Sequence, residues 1–300
     1  MNLSVSIAGI TLKNPVMPAS GTFGSGKEYA EFVDINRLAA VVTKGVAITP
    51  WPGNPPCRIA ETACGVLNSV GLQNAGVEAF LRDDLPFLKQ FDTRVIVNIC
   101  GHTVEDYTAV AEALSGADID MLELNISCPN IAEGGMSFGS DPRMAARVTE
   151  AVKKRGKQPL IVKLSPNVTS IAEIAMAAES AGADAISLIN TLLGMRIDIR
   201  RRAFALPGKT GGLSGPAVKP VAVRMVYEVS RAVSIPVIGM GGIMTGEDAA
   251  EMLMAGATAI AVGTANLHKL TAVTDVLEEL AVFMQENGIE DVNEFRTMLL

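Results

Sequence analysis

Eight short aliphatic runs, each followed by a turn and then mostly by a helical repeat, predict a (β/α)8, or TIM, barrel. Two further observations point the same way. Helical stretches close on a Gly-Ala-Asp type of ending at Gly116-Ala117-Asp118, Gly182-Ala183-Asp184 and Gly256-Ala257-Thr258. There glycine suits the residue just past a helix, and the next strand starts at once. Three connections, all following strands, are too long to be mere links: Lys44–Ala75, Asn125–Asp141 and Asn190–Pro216. In a barrel they would gather as long loops over the catalytic face. A doubly wound parallel sheet is the alternative.

The opening stretch Leu3–Leu12 alternates around Gly9 and reads as a β-hairpin at the barrel bottom. The barrel strands are expected at 15–18, 40–43, 95–98, 121–124, 160–163, 185–188, 236–239 and 259–262. Helical periodicity covers 77–91, 104–114, 142–155, 171–181, 218–232 and 248–255. No composition break divides the chain, so residues 1–300 are expected to form one domain.

Of the 300 residues, 49% are hydrophobic and 19% charged, enough to bury a large core without disulfides. A net charge of −7 argues against nucleic acid. No apolar run reaches membrane-spanning length and no leader pattern opens the chain, so a cytoplasmic protein is expected. Cys57, Cys64, Cys100 and Cys128 show no CxxC spacing, which suits reduced thiols and no iron–sulfur cluster. His102 and His268 are too few and too far apart for a metal site, and none is expected.

Chemistry concentrates at strand ends. Asn125-Ile126-Ser127-Cys128-Pro129-Asn130 delivers two amides and a thiol just past an apolar strand. An isolated cysteine there would more simply be a buried thiol. The glycine-hinged stretch 130–139 after it suits a lid or an ordinary surface loop. Lys44 and Lys163 emerge from apolar strands, where an unpaired ammonium is costly. They suit an ion pair, a cation facing a flavin, phosphate or carboxylate, or a Schiff-base lysine. Asn68, Asn98, Asn125, Asn130 and Asn190 recur at the same level, a ring suited to an amide-rich planar ligand. Cys128, with a thiol pKa of about 8.5 when unperturbed, is the nearby group able to serve as base. Gly239-Met240-Gly241-Gly242 and Val262-Gly263-Thr264 follow the last two strands and lead into helices, a phosphate-binding arrangement. Met244 stands where a dinucleotide fingerprint needs glycine, so a mononucleotide fits better than NAD.

In chain order these motifs resemble the class 1 dihydroorotate dehydrogenases along essentially the whole sequence. The resemblance rests on residues 13–21, Thr43-Lys44-Gly45, residues 67–74, residues 125–130 and Val162-Lys163-Leu164-Ser165-Pro166. Ile189-Asn190-Thr191, residues 212–216, Gly241-Gly242 and Gly263-Thr264 complete it. Thr62-Ala63-Cys64-Gly65 departs from the Pro-Ala-Gly pattern expected there.

The resemblance implies an FMN-binding barrel that oxidises dihydroorotate to orotate in pyrimidine synthesis. It implies Cys128 as catalytic base, where class 2 has serine, with Lys44 and Lys163 also catalytic. No membrane-associating extension of the class 2 kind is expected. FMN would be bound by Ser20, Gly21, Lys44, Gly45, Asn98, Asn125, Lys163, Ile189, Gly215, Gly241, Gly242, Gly263 and Thr264. Substrate would meet Lys44, Asn68, Ser69, Val70, Gly71, Leu72, Asn125, Asn130, Asn190 and Thr191. Residues 17–24 and 133–139 look most like subtype 1B. That subtype passes electrons to an iron–sulfur flavoprotein subunit carrying FAD and [2Fe–2S], which reduces NAD⁺, around a homodimeric core in a heterotetramer. A fumarate-using subtype 1A enzyme, a uracil-reducing relative, a Schiff-base aldolase and a silent scaffold barrel are the alternatives.

Overall fold

A computed structural model describes residues 1–127 and 138–299. All eight expected strands form. They are β1 (Val16–Pro18), β2 (Ala40–Val42), β3 (Arg94–Ile99), β4 (Met121–Asn125), β5 (Leu160–Lys163), β6 (Ala185–Leu188), β7 (Val237–Met240) and β8 (Ala259–Val262). They make one parallel eight-stranded sheet in the ring order 1-8-7-6-5-4-3-2. Ala39 N–H donates to the Val16 carbonyl at 3.1 Å, which ties the β1 and β2 seam and draws the sheet into a barrel. The strands read as unbroken aliphatic runs because both faces are covered: side chains of the barrel interior on one, helices on the other.

Six of the seven gaps between strands carry α-helices, and a further long helix follows β8. The first is built of three consecutive pieces, Gly76–Ala79, a wider π turn at Phe80–Asp84 and Leu85–Leu88, together α1. Helical periodicity over 77–91 does not distinguish that wider turn from regular helix. The others are α2 (Val104–Leu114), α3 (Pro142–Arg155), α4 (Ile171–Ser180), α5 (Lys219–Ala232), α6 (Gly246–Met254) and α7 (Ala272–Glu286). Thr103, Asp141, Ser170 and Thr245 accept backbone N–H groups at the starts of α2, α3, α4 and α6. The gap between β1 and β2 holds turns and one 3-10 helix, Ile35–Arg37, in place of a long helix. Gly182 and Gly256 take the left-handed conformation expected past a helix (φ 99° and 110°), whereas Gly116 does not.

The N-terminal hairpin forms from Val5–Ile7 and Ile10–Leu12 around Ala8 and Gly9, both at positive φ. That is the turn geometry which matches strand twist. Ile7 and Leu12 are fully buried, just before the N-terminal end of β1.

The long connections after β2 and β6 are more ordered than loops. Strands 59–62 and 65–68 from the first pair with 192–195 and 210–214 from the second. The antiparallel order is 192–195, 210–214, 65–68, 59–62, with a small core of Ala60, Leu67 and Leu206. Segments more than a hundred residues apart thus become one sheet at the C-terminal end of the barrel. The third connection, including Cys128 and Asn130, lies largely outside the described residues. No helix among the described residues is long and apolar enough to cross a membrane.

Candidate active site

Four consecutive strands contribute polar side chains to the barrel interior. Asn98 on β3 lies opposite Glu123 on β4, and Asn125 lies opposite Lys163 on β5. Lys163 in turn faces Ser187 on β6. All five are buried, Glu123 at 2% exposure and Lys163 at 3%. The alternation of a strand explains the set, because residues two apart point to the same side.

Glu123 is the hub. Its carboxylate accepts from Asn98 Nδ2 at 2.6 Å and from Ser187 Oγ at 2.8 Å, and Lys163 Nζ lies 4.0 Å away. Lys163 also donates to Ser20 Oγ at 3.3 Å, joining β5 to the loop after β1. Asn98 Oδ1 is buried and accepts no hydrogen bond among the described residues. An orphaned buried acceptor is costly unless a ligand supplies a donor. Glu123 and Ser187 were not anticipated from the sequence. The signal was available: a carboxylate inside Met121-Leu122-Glu123-Leu124 is as conspicuous as a lysine at the end of an apolar strand.

At the mouth, Asn125 Oδ1 accepts from Ser127 Oγ at 2.6 Å, and Asn190 Nδ2 donates to the same hydroxyl. The Tyr107 hydroxyl donates to the Asn125 carbonyl at 2.8 Å, so α2 pins the end of β4. Phe138 packs edge-on against Tyr107, 5.7 Å between ring centres. Ser127 and Phe138, the residues bounding the 128–137 stretch, are therefore both anchored here.

The Asn68 amide donates to the Gly212 carbonyl at 3.2 Å, across the two long connections. Ser69 and Val70 are held by Asn54, which donates to Ser69 Oγ at 2.9 Å and from its own N–H to the Val70 carbonyl at 3.0 Å. Gly71 leaves Asn54 its room, since a Cβ there would lie 2.7 Å from the amide. Leu72 is held at φ 50°, unusual for a leucine. Thr191 is fixed through its carbonyl, which accepts from Asn167 Nδ2 at 3.0 Å. Asn54 and Asn167 are supports the sequence reading missed. Their partners lie in other loops, and a single Asn in a loop reads as a turn residue.

Lys44 follows β2, and its N–H donates to the Gly24 carbonyl at 3.0 Å. With Gly45 it lines a cavity of about 190 Å³. Burial, reinforced by Arg58, holds the Lys44 ammonium below the ordinary lysine range, with Cys100 opposing. The uncharged amine is thus easier to fold around than the cation. The sign follows: stability gains from Lys44 are complete above the ordinary lysine pKa and are lost as pH falls to the lowered folded value. Lys44→Met should flatten the rise in stability toward alkaline pH relative to the unmodified chain, read from denaturant midpoints between pH 7 and 10.

The glycine turns follow the ends of β7 and β8. Gly215 approaches Gly65 and Thr264: a Cβ on it would lie 2.7 Å from Gly65 Cα and 3.5 Å from Thr264 Cγ2. Gly241 and Gly242 have φ of 122° and 79°. A Cβ on Gly242 would sit 2.6 Å from Lys219 Cβ at the start of α5. The Ile189 N–H donates to the Met240 carbonyl at 2.9 Å, and Ile189 Cγ1 lies beside Gly241. A Cβ on Gly263 would lie 3.6 Å from Ala19 Cβ, and Thr264 opens the short helix Ala265–His268. Ser20 and Gly21 follow Ala19 in the same corner.

The structure therefore gathers the Lys163 and Asn98 group, the Asn125 and Asn190 pair and the glycine turns at the C-terminal face. Cys128 and Asn130 fall outside the described residues. Among the described residues no group of three or more His, Cys, Asp or Glu could hold a metal ion. The donor set, a buried cation, unpartnered amide acceptor and glycine turns, fits a flavin mononucleotide.

The sequence matches the family described as dihydroorotate dehydrogenase over residues 2–284. A protein of Lachnoclostridium phytofermentans is 62% identical over 98% of this chain and 98% of its own length. One from Alkaliphilus oremlandii is 64% identical over 98% and 97%, and one from Geotalea uraniireducens 54% over 98% and 96%. All three carry the name dihydroorotate dehydrogenase B (NAD(+)), catalytic subunit. With a family model matched along nearly its whole length and relatives of this identity, the chain belongs to the dihydroorotate dehydrogenase family.

Proposed function

We propose that the chain is an FMN-dependent catalytic subunit that oxidises (S)-dihydroorotate to orotate in pyrimidine synthesis. Its electrons pass to a separate electron-transfer subunit, an iron–sulfur flavoprotein with FAD and [2Fe–2S], and on to NAD⁺. The buried group of Lys163, Asn98 and Glu123 beside the Asn125 and Asn190 pair carries this reading. It would provide a cation and an acceptor for a flavin, and amides for a pyrimidine.

When bound, FMN supplies the acceptor for a hydride. The chain does the rest. Cys128 takes the C5 proton of dihydroorotate at Sγ as the C6 hydride leaves and the C5–C6 double bond forms. Lys44, Asn68, Asn125, Asn130, Asn190 and Thr191, with backbone at 69–72, hold the ring and its carboxylate. Gly215, Gly241, Gly242, Gly263 and Thr264 receive the phosphate, while Ser20, Gly21, Gly45 and Ile189 wall the flavin. Lys163 is engaged with Glu123 and Ser20 and almost fully buried, which does not suit attack on a substrate carbonyl as in a Schiff-base aldolase.

Gly242→Ala should cost at least tenfold in FMN retention, because the added methyl collides with Lys219 at the start of α5. The FMN-to-protein ratio after desalting measures it, and an unchanged ratio would remove Gly242 from the phosphate site. The partner requirement is tested by NAD⁺ reduction: none from the chain alone, and turnover on adding an iron–sulfur flavoprotein subunit. NAD⁺ reduction by the chain alone would contradict it.

A further inference from the structure

Glu123 is a buried titratable group to which the reaction assigns no step. Three features of its setting define a role. It is 2% exposed, so its charge is not dispersed by water. It reaches across four consecutive strands, touching Asn98 on β3 and Ser187 on β6, with Lys163 on β5 between. Finally, it dictates the orientation of Asn98. An ionised carboxylate only accepts hydrogen bonds. Asn98 must therefore turn its NH2 toward Glu123, at 2.6 Å, which leaves Oδ1 as the buried acceptor without a partner among the described residues. A neutral group at 123 could donate as well as accept, and would release that constraint.

We propose that Glu123 is a positioning residue that sets the redox poise of the site. It acts through Asn98, whose free acceptor it aims, and through Lys163, whose positive charge it offsets. This rests on the flavin reading above. The layer presents an acceptor and a cation, with one negative charge held just behind them. Burying Glu123 as a filler would require only that its donors be satisfied. Placing it 4.0 Å from the buried Lys163 ammonium offsets that cation's charge. Reduction of a flavin adds negative charge, so this balance sets how readily reduction occurs.

The test is the two-electron midpoint potential of the FMN-loaded chain, measured by dye-coupled spectroelectrochemistry at pH 7 without dihydroorotate. Glu123→Gln keeps the shape and removes the charge. Its equilibrium should move toward reduced flavin by on the order of tenfold, about 30 mV more positive. Lys163→Met should move it the opposite way, and the Lys163→Met, Glu123→Gln double variant should lie between the two. Glu123→Asp, which restores the charge, should return the potential toward the unmodified value. A residue that only props up the barrel would lower the melting temperature and leave these signs unordered.

A folded, FMN-loaded Glu123→Gln protein with an unchanged or more negative potential overturns the inference. If Glu123→Gln alone does not fold, the comparison of Lys163→Met with the double variant decides. A more positive double variant supports the role, and equal potentials overturn it. If the unmodified chain holds no FMN, the flavin reading itself fails, and with it this inference. A yellow unmodified chain with a null result at 123 sinks the inference alone.

Discussion

Replacing Cys128 by alanine should slow reduction of the bound flavin by dihydroorotate by ~10²-fold or more while leaving the flavin in place. The reason is chemical economy. Oxidation needs a group to receive the C5 proton while the hydride leaves C6. Asparagine amides orient a ring but do not take that proton. Lys163 is committed to Glu123 and Ser20. Cys128 joins covalently to Ser127, whose hydroxyl is held by both Asn125 and Asn190, the two amides proposed to grip the substrate. Stopped-flow bleaching after mixing with dihydroorotate measures the effect. Bleaching at the unmodified rate would remove Cys128 from the base role.

Replacing Lys163 by alanine should act on both stability and cofactor. The variant leaves Glu123 as an uncompensated buried charge, and losing one partner of such a pair costs about 3–5 kcal/mol. It also removes the cation proposed to face the flavin, so FMN retention should fall by at least tenfold. Denaturant unfolding and the FMN-to-protein ratio report the two effects separately. A fully yellow variant of undiminished stability would contradict both the ion pair and the flavin contact.

The barrel was legible because its strands are doubly buried. Met121 to Leu124 and Ala259 to Val262 show near-unbroken apolar runs that no surface segment needs, and turn and cap residues bracket them. The lysines and asparagines at strand ends were legible for the same reason: polarity directly after an apolar run is costly without a partner. What stayed hidden was pairing at long range. Nothing local in Leu192–Met195 or Gly65–Asn68 says that strand 210–214 will join them. Those connections therefore read as loops, although they form the sheet that carries Asn68. Glu123 was visible as a carboxylate inside an apolar strand, but its partners were not, because Asn98 and Ser187 converge on it from other strands. Asn54 was hidden likewise, since its value lies in holding Ser69 and Val70 rather than in any motif of its own.

The central claim is dihydroorotate oxidation at a flavin held by this chain. An anaerobic titration of the purified, FMN-loaded chain with dihydroorotate tests it most directly, followed by visible absorbance and by orotate formation. The account predicts bleaching of the flavin band with one orotate formed per flavin reduced, without any partner subunit present. A chain that is colourless after FMN loading, or a yellow one that stays oxidised in excess dihydroorotate, would contradict it.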